Sequence, residues 1–224
     1  EEKFGQPPGT LTQIAEQKVE ETTITVMNFD RDQLQEMVVD SPQECRPFSN
    51  TPEVTWINVE GIHEVGPVKE FGEIFGLSSL VMEDILNPNQ RPKFEDHGHY
   101  LLVVMKFLDF DDETKRLVPE QISLILGKNY LLTFQEKVRG KLDPIRSRIR
   151  NPKARIRSRG LDYVFYALLD VIVDGYFVVL EKIGEVLAEL EERVIENPAP
   201  EVLQRIFENK VNMMVFRRAT WPLR

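Results

Sequence analysis

The stretch "HYLLVVMKFLDF", residues 99–110, is a long apolar run containing β-branched and aromatic residues, and it predicts a buried β-strand. Two similar runs follow it, "EQISLILG" (120–127) and "YLLTFQE" (130–136). The turn-forming segments "DDET" and "GKN" lie in the intervals between the three runs. Because short turns join antiparallel neighbours, the three runs together predict an antiparallel meander.

Segments upstream of the meander alternate between the periods of a strand and of a helix. "TTITVMNF" (22–29) and "VTWINVEG" (54–61) predict strands, whereas "VKEFGEIFG" (68–76) predicts a helix. "DRDQLQEMV" (30–38) also predicts a helix, with Asp30 as its N-cap. We therefore expect an α/β fold whose sheet is mixed and covered by helices.

The pattern changes near residue 160, where apolar residues begin to recur at helical spacing. Over residues 161–197 this recurrence predicts a single helix of about 54 Å, at 1.5 Å per residue. Its apolar stripe consists of Leu161, Phe165, Leu168, Ile172, Tyr176, Val179, Ile183, Leu187, Leu190 and Val194. "NPAP" ends this helix, and a second long helix starts near Glu201 and runs toward Arg224, so we expect the sequence to stop within a helix.

The composition of the 224 residues limits the classes of protein that fit. Hydrophobic residues make up 42% of the chain, and 37 acidic residues against 28 basic ones give a net charge of −9. An acidic balance disfavours a nucleic-acid partner and is compatible with cation binding. Cys45 is the only cysteine, which excludes an intramolecular disulfide. The apolar runs predict neither a signal peptide nor a membrane span.

The segment "SSLVMEDILNPNQRP" (78–92) predicts a short helix that ends before a proline. Its predicted apolar face consists of Leu77, Leu80, Val81 and Ile85. Asp84 falls within that face and Glu83 falls beside it. Two interpretations stay open: either Asp84 is a satisfied polar group beneath a neighbouring loop, or it faces a partner surface and shares a cation with it.

Acidic residues also interrupt the apolar sequence "ALLDVIVDGYFVVL" of the long helix. Asp170 and Asp174 are four residues apart, so they are helix neighbours of like charge that repel each other. The acids that continue toward the C-terminus are Glu181, Glu185, Glu189 and Glu192. This face is either the solvated side of an exposed helix or a hard-cation site, because Mg²⁺ and Ca²⁺ bind carboxylate oxygens.

Other charged segments carry weaker signals. The basic segment 139–160 lacks interleaved aromatic residues, so we expect a basic helix that pairs with the acidic helices rather than a nucleic-acid surface. His97 and His99 in "DHGH" fit a polar turn before a strand, since a transition-metal site needs more ligands. The sequence has no glycine-rich phosphate loop, no G-x-S-x-G motif and no convincing Cys–His pair, so we do not expect an enzyme.

Several segments resemble the CorA magnesium transporters, in a consistent order that covers most of residues 50–224. They are "LVMEDILNPNQRPKFEDHGHYLLVVMKF", "EQISLILGKNYLLTFQEK", "LDPIRSRIR", "LDYVFYALLDVIVDGYF" and the terminal "WPLR". The resemblance implies an α/β/α sandwich around a mixed, partly antiparallel sheet. Long C-terminal helices would follow and end in a truncated stalk helix.

The resemblance also implies the domain organisation. Residues 1–160 would form the α/β cytoplasmic domain, residues 161–198 a long acidic helix region packed with it, and residues 199–224 the start of the stalk helix. In CorA proteins the stalk leads to two membrane helices with a Gly-Met-Asn signature between them, and the whole assembles as a homopentamer. We therefore expect a cytoplasmic piece of an inner-membrane Mg²⁺/Co²⁺ channel, joined to the membrane only through helices missing from this sequence.

Regulatory metal sites between neighbouring copies are a further implication of the resemblance. The acidic pair of the family corresponds to Glu83 and Asp84, and the acid of "LLDVIVD" corresponds to Asp170, with Asp174 one turn further on. Asp84 would then point at a neighbouring copy and share a regulatory Mg²⁺, Co²⁺ or another divalent cation with it. The expected partners are divalent cations and other copies of the chain, without nucleic acid.

Two alternatives remain beside this interpretation. The first is the cytoplasmic domain of a related zinc transporter of the ZntB type, against which the "EDILN…QRPK" run favours CorA. The second is a free-standing α/β enzyme, which the lack of a catalytic set disfavours.

Overall fold

The computed structural model describes residues 9, 11, 22–62, 64–137, 140–196 and 199–223. Its strands are β1 (Thr23–Phe29), β2 (Leu34–Val39), β3 (Val54–Glu60), β4 (Lys93–Asp96), β5 (Leu101–Asp111), β6 (Arg116–Leu126) and β7 (Tyr130–Gln135). They form one seven-stranded sheet in the order β2-β1-β3-β7-β6-β5-β4. The pair β3–β7 is parallel and the other neighbours are antiparallel, so the prediction of a mixed sheet is confirmed.

Five α-helices lie in the described residues, and three short 3-10 helices accompany them. The α-helices are α1 (Val65–Phe75), α2 (Ser79–Leu86), α3 (Asp143–Arg150), α4 (Leu161–Glu196) and α5 (Pro200–Thr220). The 3-10 helices span Pro42–Asn50, Arg155–Ser158 and Trp221–Leu223. The predicted long helix is confirmed as α4, and the predicted meander as β5, β6 and β7.

The sheet buries apolar side chains on both faces, which divides the core into two clusters. Because successive side chains of a strand point to opposite faces, Met105 of β5 joins one cluster and Val104 the other. The first cluster lies under α3, α4 and α5, and the second lies under α1 and α2. The sheet with helices on both sides is the predicted α/β/α sandwich.

Helix α4 covers the sheet with the stripe that its sequence predicts, although not over its whole length. The buried members of the stripe are Leu161, Leu168, Ile172, Tyr176, Val179, Ile183 and Leu190, while Phe165 is partly buried. The predicted members Leu187 and Val194 are instead 50% and 42% exposed. By length and composition Leu161–Ile195 also satisfies the criteria for a membrane span, a test that the core helix of a soluble protein also passes.

Helix α5 turns back along α4 and reaches the sheet again. It buries two asparagines, and Asn212 uses its amide to hold the start of β6: its Oδ1 accepts from the Leu117 backbone N–H at 2.9 Å, and its Nδ2 donates to the Lys115 carbonyl at 2.8 Å. The 3-10 helix that follows α5 contacts β4. The assignment of residues 199–224 to the start of a stalk stays a prediction.

The predicted helix over residues 30–38 is wrong, because its second half forms strand β2. Asp30 caps a turn instead of a helix: its Oδ1 accepts from the backbone N–H groups of Asp32 and Gln33, at 2.8 and 2.7 Å. This turn reverses the chain so that β2 pairs antiparallel with β1. Sequence patterning also missed the four-residue edge strand β4.

The basic segment forms helix α3, as predicted, but apart from Arg146–Asp143 within the helix its salt bridges are to strands rather than to the acidic helices. Arg146 lies over the Trp56 ring and reaches Glu60 of β3 at 3.3 Å, and Arg150 reaches Glu36 of β2 at 2.6 Å. These partners follow from the position of the helix, because α3 packs above β3, whereas the acids of α4 described below face solvent.

Two glycines in helix interiors offer a matched test of how α1 packs against α2. A Cβ at Gly72 of α1 would overlap the Sδ of Met82, whereas a Cβ at Gly184 of α4 would meet open space. Both substitutions to Ala gain similar helix propensity, about 1 kcal/mol. We expect Gly72→Ala to be less stable than Gly184→Ala by about 1–3 kcal/mol in urea unfolding, because the extra methyl overpacks the α1–α2 contact. Equal stability of the two variants would contradict this packing.

Candidate metal site

Helix α2 carries the predicted pair Glu83 and Asp84, and its sequence determines both of its ends. The Ser78 hydroxyl accepts from the backbone N–H of Val81 at 3.3 Å, which caps the N-terminus. The helix ends at Leu86, and Asn87 is extended because the residue before a proline, here Pro88, avoids the α region.

The buried face of α2 differs from the predicted one. It consists of Val81, Ile85 and Leu86, while Leu80 is 53% exposed, so Leu80 was wrongly assigned to this face. Asp84 consequently lies at the margin of the buried face and is half-buried rather than central to it.

The Asp84 carboxylate has partners within its own chain. Its Oδ1 accepts from the side-chain amide of Gln90, and its Oδ2 lies 2.6 Å from the Lys93 Nζ. Lys93 also contacts Glu95 Oε1 at 2.8 Å, so one ammonium group bridges two carboxylates. Within one chain, Asp84 therefore matches the interpretation of a satisfied polar group beside a loop.

The ionisation of this cluster follows from its contacts. Partial burial opposes the charged form of Lys93, but hydrogen bonds to Asp84 and Glu95 outweigh it and raise the pKa of the lysine. The hydrogen bond from Lys93 lowers the pKa of Glu95, and a weaker contact with His97 acts in the same direction. At neutral pH the cluster therefore holds an ammonium between two carboxylates.

Hydrogen bonds from the sheet hold the backbone around Asp84 in place. The side chain of Gln121 on β6 donates to the Asp84 carbonyl at 2.8 Å. The buried Lys106 on β5 donates to the Pro88 carbonyl at 2.7 Å and to Gln121 Oε1 at 3.0 Å. The helix end and the following loop are thus tied to the same two strands, which limits the positions that the Asp84 carboxylate can take.

Glu83 faces a different direction from Asp84. Its Oε2 accepts from the backbone N–H of Gly9 at 2.8 Å, near the N-terminus of the chain. Adjacent residues on a helix point about 100° apart, so the two carboxylates contact different neighbours. The structure does not bring Glu83 and Asp84 together on one ion.

Asp170 and Asp174 lie on the solvent side of α4, opposite the buried Ile172 and Tyr176. None of the hydrogen bonds or ion pairs found among the described residues involves either aspartate. Further along the helix, Glu189 is paired with Arg205 and Arg193, and the hydrogen bond from Arg205 is the main cause of its lowered pKa. The predicted acidic face is therefore exposed, with its first two members facing solvent.

The predicted site residues do not converge within one chain. Helix α2 lies against one face of the sheet and α4 against the other, and Asp170 and Asp174 point away from the sheet. Among the described residues, no group of three or more His, Cys, Asp or Glu side chains is placed to hold a metal ion. Any ion bound by both Asp84 and Asp170 would need a second copy of the chain.

The histidines of the "DHGH" run occupy the turn between β4 and β5, as predicted. His97 stacks on Tyr100 with a centroid distance of 4.8 Å and lies 3.3 Å from Glu95, and His99 meets the edge of the same tyrosine ring. Sequence patterning missed the cationic partner Lys93, whose only signal was its place at the end of the basic run "NQRPK", seven residues after the last residue of α2.

Comparisons with known proteins match the chain to one family. A family model described as CorA-like Mg²⁺ transporter protein matches residues 52–224. The cobalt/magnesium transport protein CorA of Thermotoga maritima is 43% identical over 222 residues, which cover 99% of this chain and 63% of that protein. The chain thus spans less than two-thirds of that relative's length.

Solved structures share the fold at lower identity. The soluble domain of CorA from Methanocaldococcus jannaschii superposes with a TM-score of 0.66 at 18% identity, covering 88% of this chain and 74% of that one. The cytoplasmic domain of ZntB from Vibrio parahaemolyticus gives a TM-score of 0.61 at 13% identity, covering 89% and 75% of the two chains. At these identities the likeness concerns the fold alone.

The different surroundings of Asp84 and Asp174 predict opposite effects of neutralising each of them. Asp84→Asn removes one partner of a half-buried ammonium and should lower the free energy of unfolding by about 1 kcal/mol. Asp174→Asn removes a charge that repels Asp170, so stability without divalent cations should stay the same or rise. Urea unfolding in a chelating buffer measures both. A loss above about 1 kcal/mol in Asp174→Asn would show that Asp174 is structurally paired.

Proposed function

The chain belongs to the CorA-like Mg²⁺ transporter family, and we propose that it is the cytoplasmic, Mg²⁺-sensing domain of a divalent cation transporter. The transported ions would be Mg²⁺ and Co²⁺, which are named for the Thermotoga maritima relative. The membrane-crossing part would lie in the remainder of the full-length protein, in the inner membrane. The domain would act by binding and association, without catalysis.

The observation that carries this proposal is the placement of the acidic residues. Asp84 lies at the margin of α2 on one face of the sheet, and Asp170 and Asp174 point outward on the other. A chain with carboxylates on two opposite sides presents one set to each of two neighbours in a closed ring. Repetition of this contact builds a cyclic assembly, and we propose the homopentamer typical of CorA proteins.

The donor set suits a hard divalent cation. Carboxylate oxygens are the ligands that Mg²⁺ prefers, and Mg²⁺ keeps several waters, so a few carboxylates suffice. We propose that Asp84 of one copy, with Asp170 and Asp174 of the next, holds the regulatory ion, while Glu83 adds negative charge to the surface of α2 that approaches it. A bound divalent cation supplies the positive charge that lets these carboxylates approach each other.

Sensing then follows from electrostatics. Two carboxylates 4 Å apart repel each other by about 4 kcal/mol at an effective dielectric constant near 20. Without the ion, the cluster of Asp84, Glu95 and Lys93 keeps a net negative charge, so this cluster and Asp170 of the neighbouring copy would favour separation of the domains. With it they favour contact, so the internal Mg²⁺ concentration shifts the population between splayed and closed rings.

The zinc-transporter alternative is weaker. The ZntB cytoplasmic domain shares the fold at 13% identity, whereas the relative at 43% identity is a cobalt/magnesium transport protein. Zinc sites in proteins use Cys and His ligands besides carboxylates, and the residues proposed here are Asp and Glu only.

Transport assays on the full-length protein test the sensor. In vesicles preloaded with Mg²⁺, Asp84→Ala should sustain flux at internal Mg²⁺ concentrations that close the unmodified protein, because one side of the shared site is lost. Glu73→Ala, which removes an exposed carboxylate from the neighbouring helix α1, is the matched control and should close normally. Inhibition by internal Mg²⁺ that is unchanged in Asp84→Ala would remove this residue from the sensor.

The 224-residue chain by itself should show weak, association-linked binding. Because each copy supplies only part of the site, we expect a Kd for Mg²⁺ on the order of millimolar, about −4 kcal/mol. Added Mg²⁺ should move the chain from monomers toward larger species in sedimentation experiments. The double variant Asp170→Asn/Asp174→Asn should lose this shift. Micromolar binding to a strict monomer in calorimetry would mean that a complete site exists within one chain.

A further inference from the structure

The Lys93 ammonium occupies a position that suits a metal cation. Its Nζ lies 2.6 Å from Asp84 Oδ2 and 2.8 Å from Glu95 Oε1, so two carboxylates from different elements converge on one positive centre. The side chains of Lys93 and Asp84 are 24% and 16% exposed. The positive centre is therefore sheltered, yet water and small ions can reach it.

The Asp84 carboxylate is held by the fold independently of the lysine, whereas Glu95 is held through its backbone and His97. Gln121 binds the Asp84 carbonyl, and the Gln90 amide binds Asp84 Oδ1, which leaves Oδ2 as the oxygen that faces Lys93. Glu95 lies on β4 opposite Leu102 of β5, and its Oε2 lies 3.3 Å from His97 Nε2. Removal of the ammonium would leave Asp84 Oδ2 in place, with the Glu95 carboxylate within reach of the same point.

We propose that Lys93 is a tethered competing cation that sets the Mg²⁺ concentration at which Asp84 takes part in sensing. This inference rests on the proposed role of Asp84. A divalent ion that binds Asp84 Oδ2 must displace the Lys93 ammonium from it, because two cations so close to one oxygen repel each other. Because the ion must displace the ammonium, it binds more weakly, which raises the Mg²⁺ concentration at which the sensor responds.

The same competition gives selectivity against monovalent ions. The effective concentration of a tethered ammonium is high, and Na⁺ or K⁺ carries no more charge than the group that it would replace. A divalent ion carries twice that charge, so it competes where monovalent ions do not. The Asp84 carboxylate would thus stay in its internal ion pair at cellular K⁺ concentrations and still respond to Mg²⁺.

Calorimetric titration of the 224-residue chain with Mg²⁺ tests the proposal by a gain of affinity. Lys93→Met should lower the Kd for Mg²⁺ by about tenfold or more, equal to about 1.4 kcal/mol. The matched control is Lys69→Met on α1, which removes the same charge from an exposed site and should leave the Kd nearly unchanged. The double variant Lys93→Met/Glu95→Gln should bind weakly again, since the second converging carboxylate is lost.

Thermal unfolding provides a second readout. Without divalent ions, Lys93→Met should melt below the unmodified chain because Asp84 and Glu95 then repel each other. Added Mg²⁺ should raise its Tm more than that of the unmodified chain. If Lys93→Met does not fold, Lys93→Gln removes the charge, keeps a hydrogen-bond donor, and should show the same direction in both measurements.

The outcomes separate this inference from the proposed function. An unchanged Kd in Lys93→Met, or an equal shift in Lys69→Met, overturns the role of Lys93 as a competing cation. Loss of Mg²⁺ inhibition in full-length Asp84→Ala would still support the sensor in that case. If Lys93→Met binds Mg²⁺ more tightly while transport by Asp84→Ala is inhibited by Mg²⁺ as in the unmodified protein, Lys93 competes with Mg²⁺ at a site that does not control transport.

Discussion

Burial of the sheet on both faces is the constraint on which the rest of this structure depends. Because the interior strands carry apolar residues on each side, as Val104 and Met105 of β5 do, helices must cover both faces. That requirement places α2 and α4 on opposite sides of the sheet. The acidic residues of one helix are thereby kept away from those of the other. A cation bound by both helices would have to link two copies of the chain, because the fold prevents a link within one copy.

The two faces are nevertheless connected through hydrogen bonds at the β5–β6 pair. Tyr176 of α4 donates to the Lys106 carbonyl at 2.8 Å, and the Lys106 side chain reaches Gln121, which in turn holds the Asp84 carbonyl. Every member of this chain of contacts is buried except Asp84, which is half-buried. Buried hydrogen bonds of this kind are costly to break, so they resist independent movement of α2 and α4. If a neighbouring copy displaced α2, the displacement would therefore also act on the strands against which α4 packs.

The sequence predicts the elements that have a long pattern of apolar residues, and it fails where a single short-range contact selects the conformation. Helix α4 and the meander of β5, β6 and β7 are predicted from such patterns, and both form in the structure. The segment 30–38 was wrongly predicted as a helix, because Asp30 caps a turn as readily as a helix and only pairing with β1 selects the strand. The outward positions of Asp170 and Asp174 agree with a solvated helix face. The partner of Asp84 was missed, since Lys93 reaches it from an edge strand of four residues, too short for its apolar pattern to reveal.

The internal ion pair also determines how the free energy of cation binding is used. In many small metal-binding domains the metal is needed for folding, so binding energy becomes folding energy. Here Lys93 already pairs with Asp84 within the chain, and two packed hydrophobic clusters support the fold. In the proposed exchange a divalent cation would replace one cationic partner of Asp84 by another. Most of its binding energy would then be available to bring Asp84 toward the carboxylates of a neighbouring copy, which is what a sensor that works by association requires.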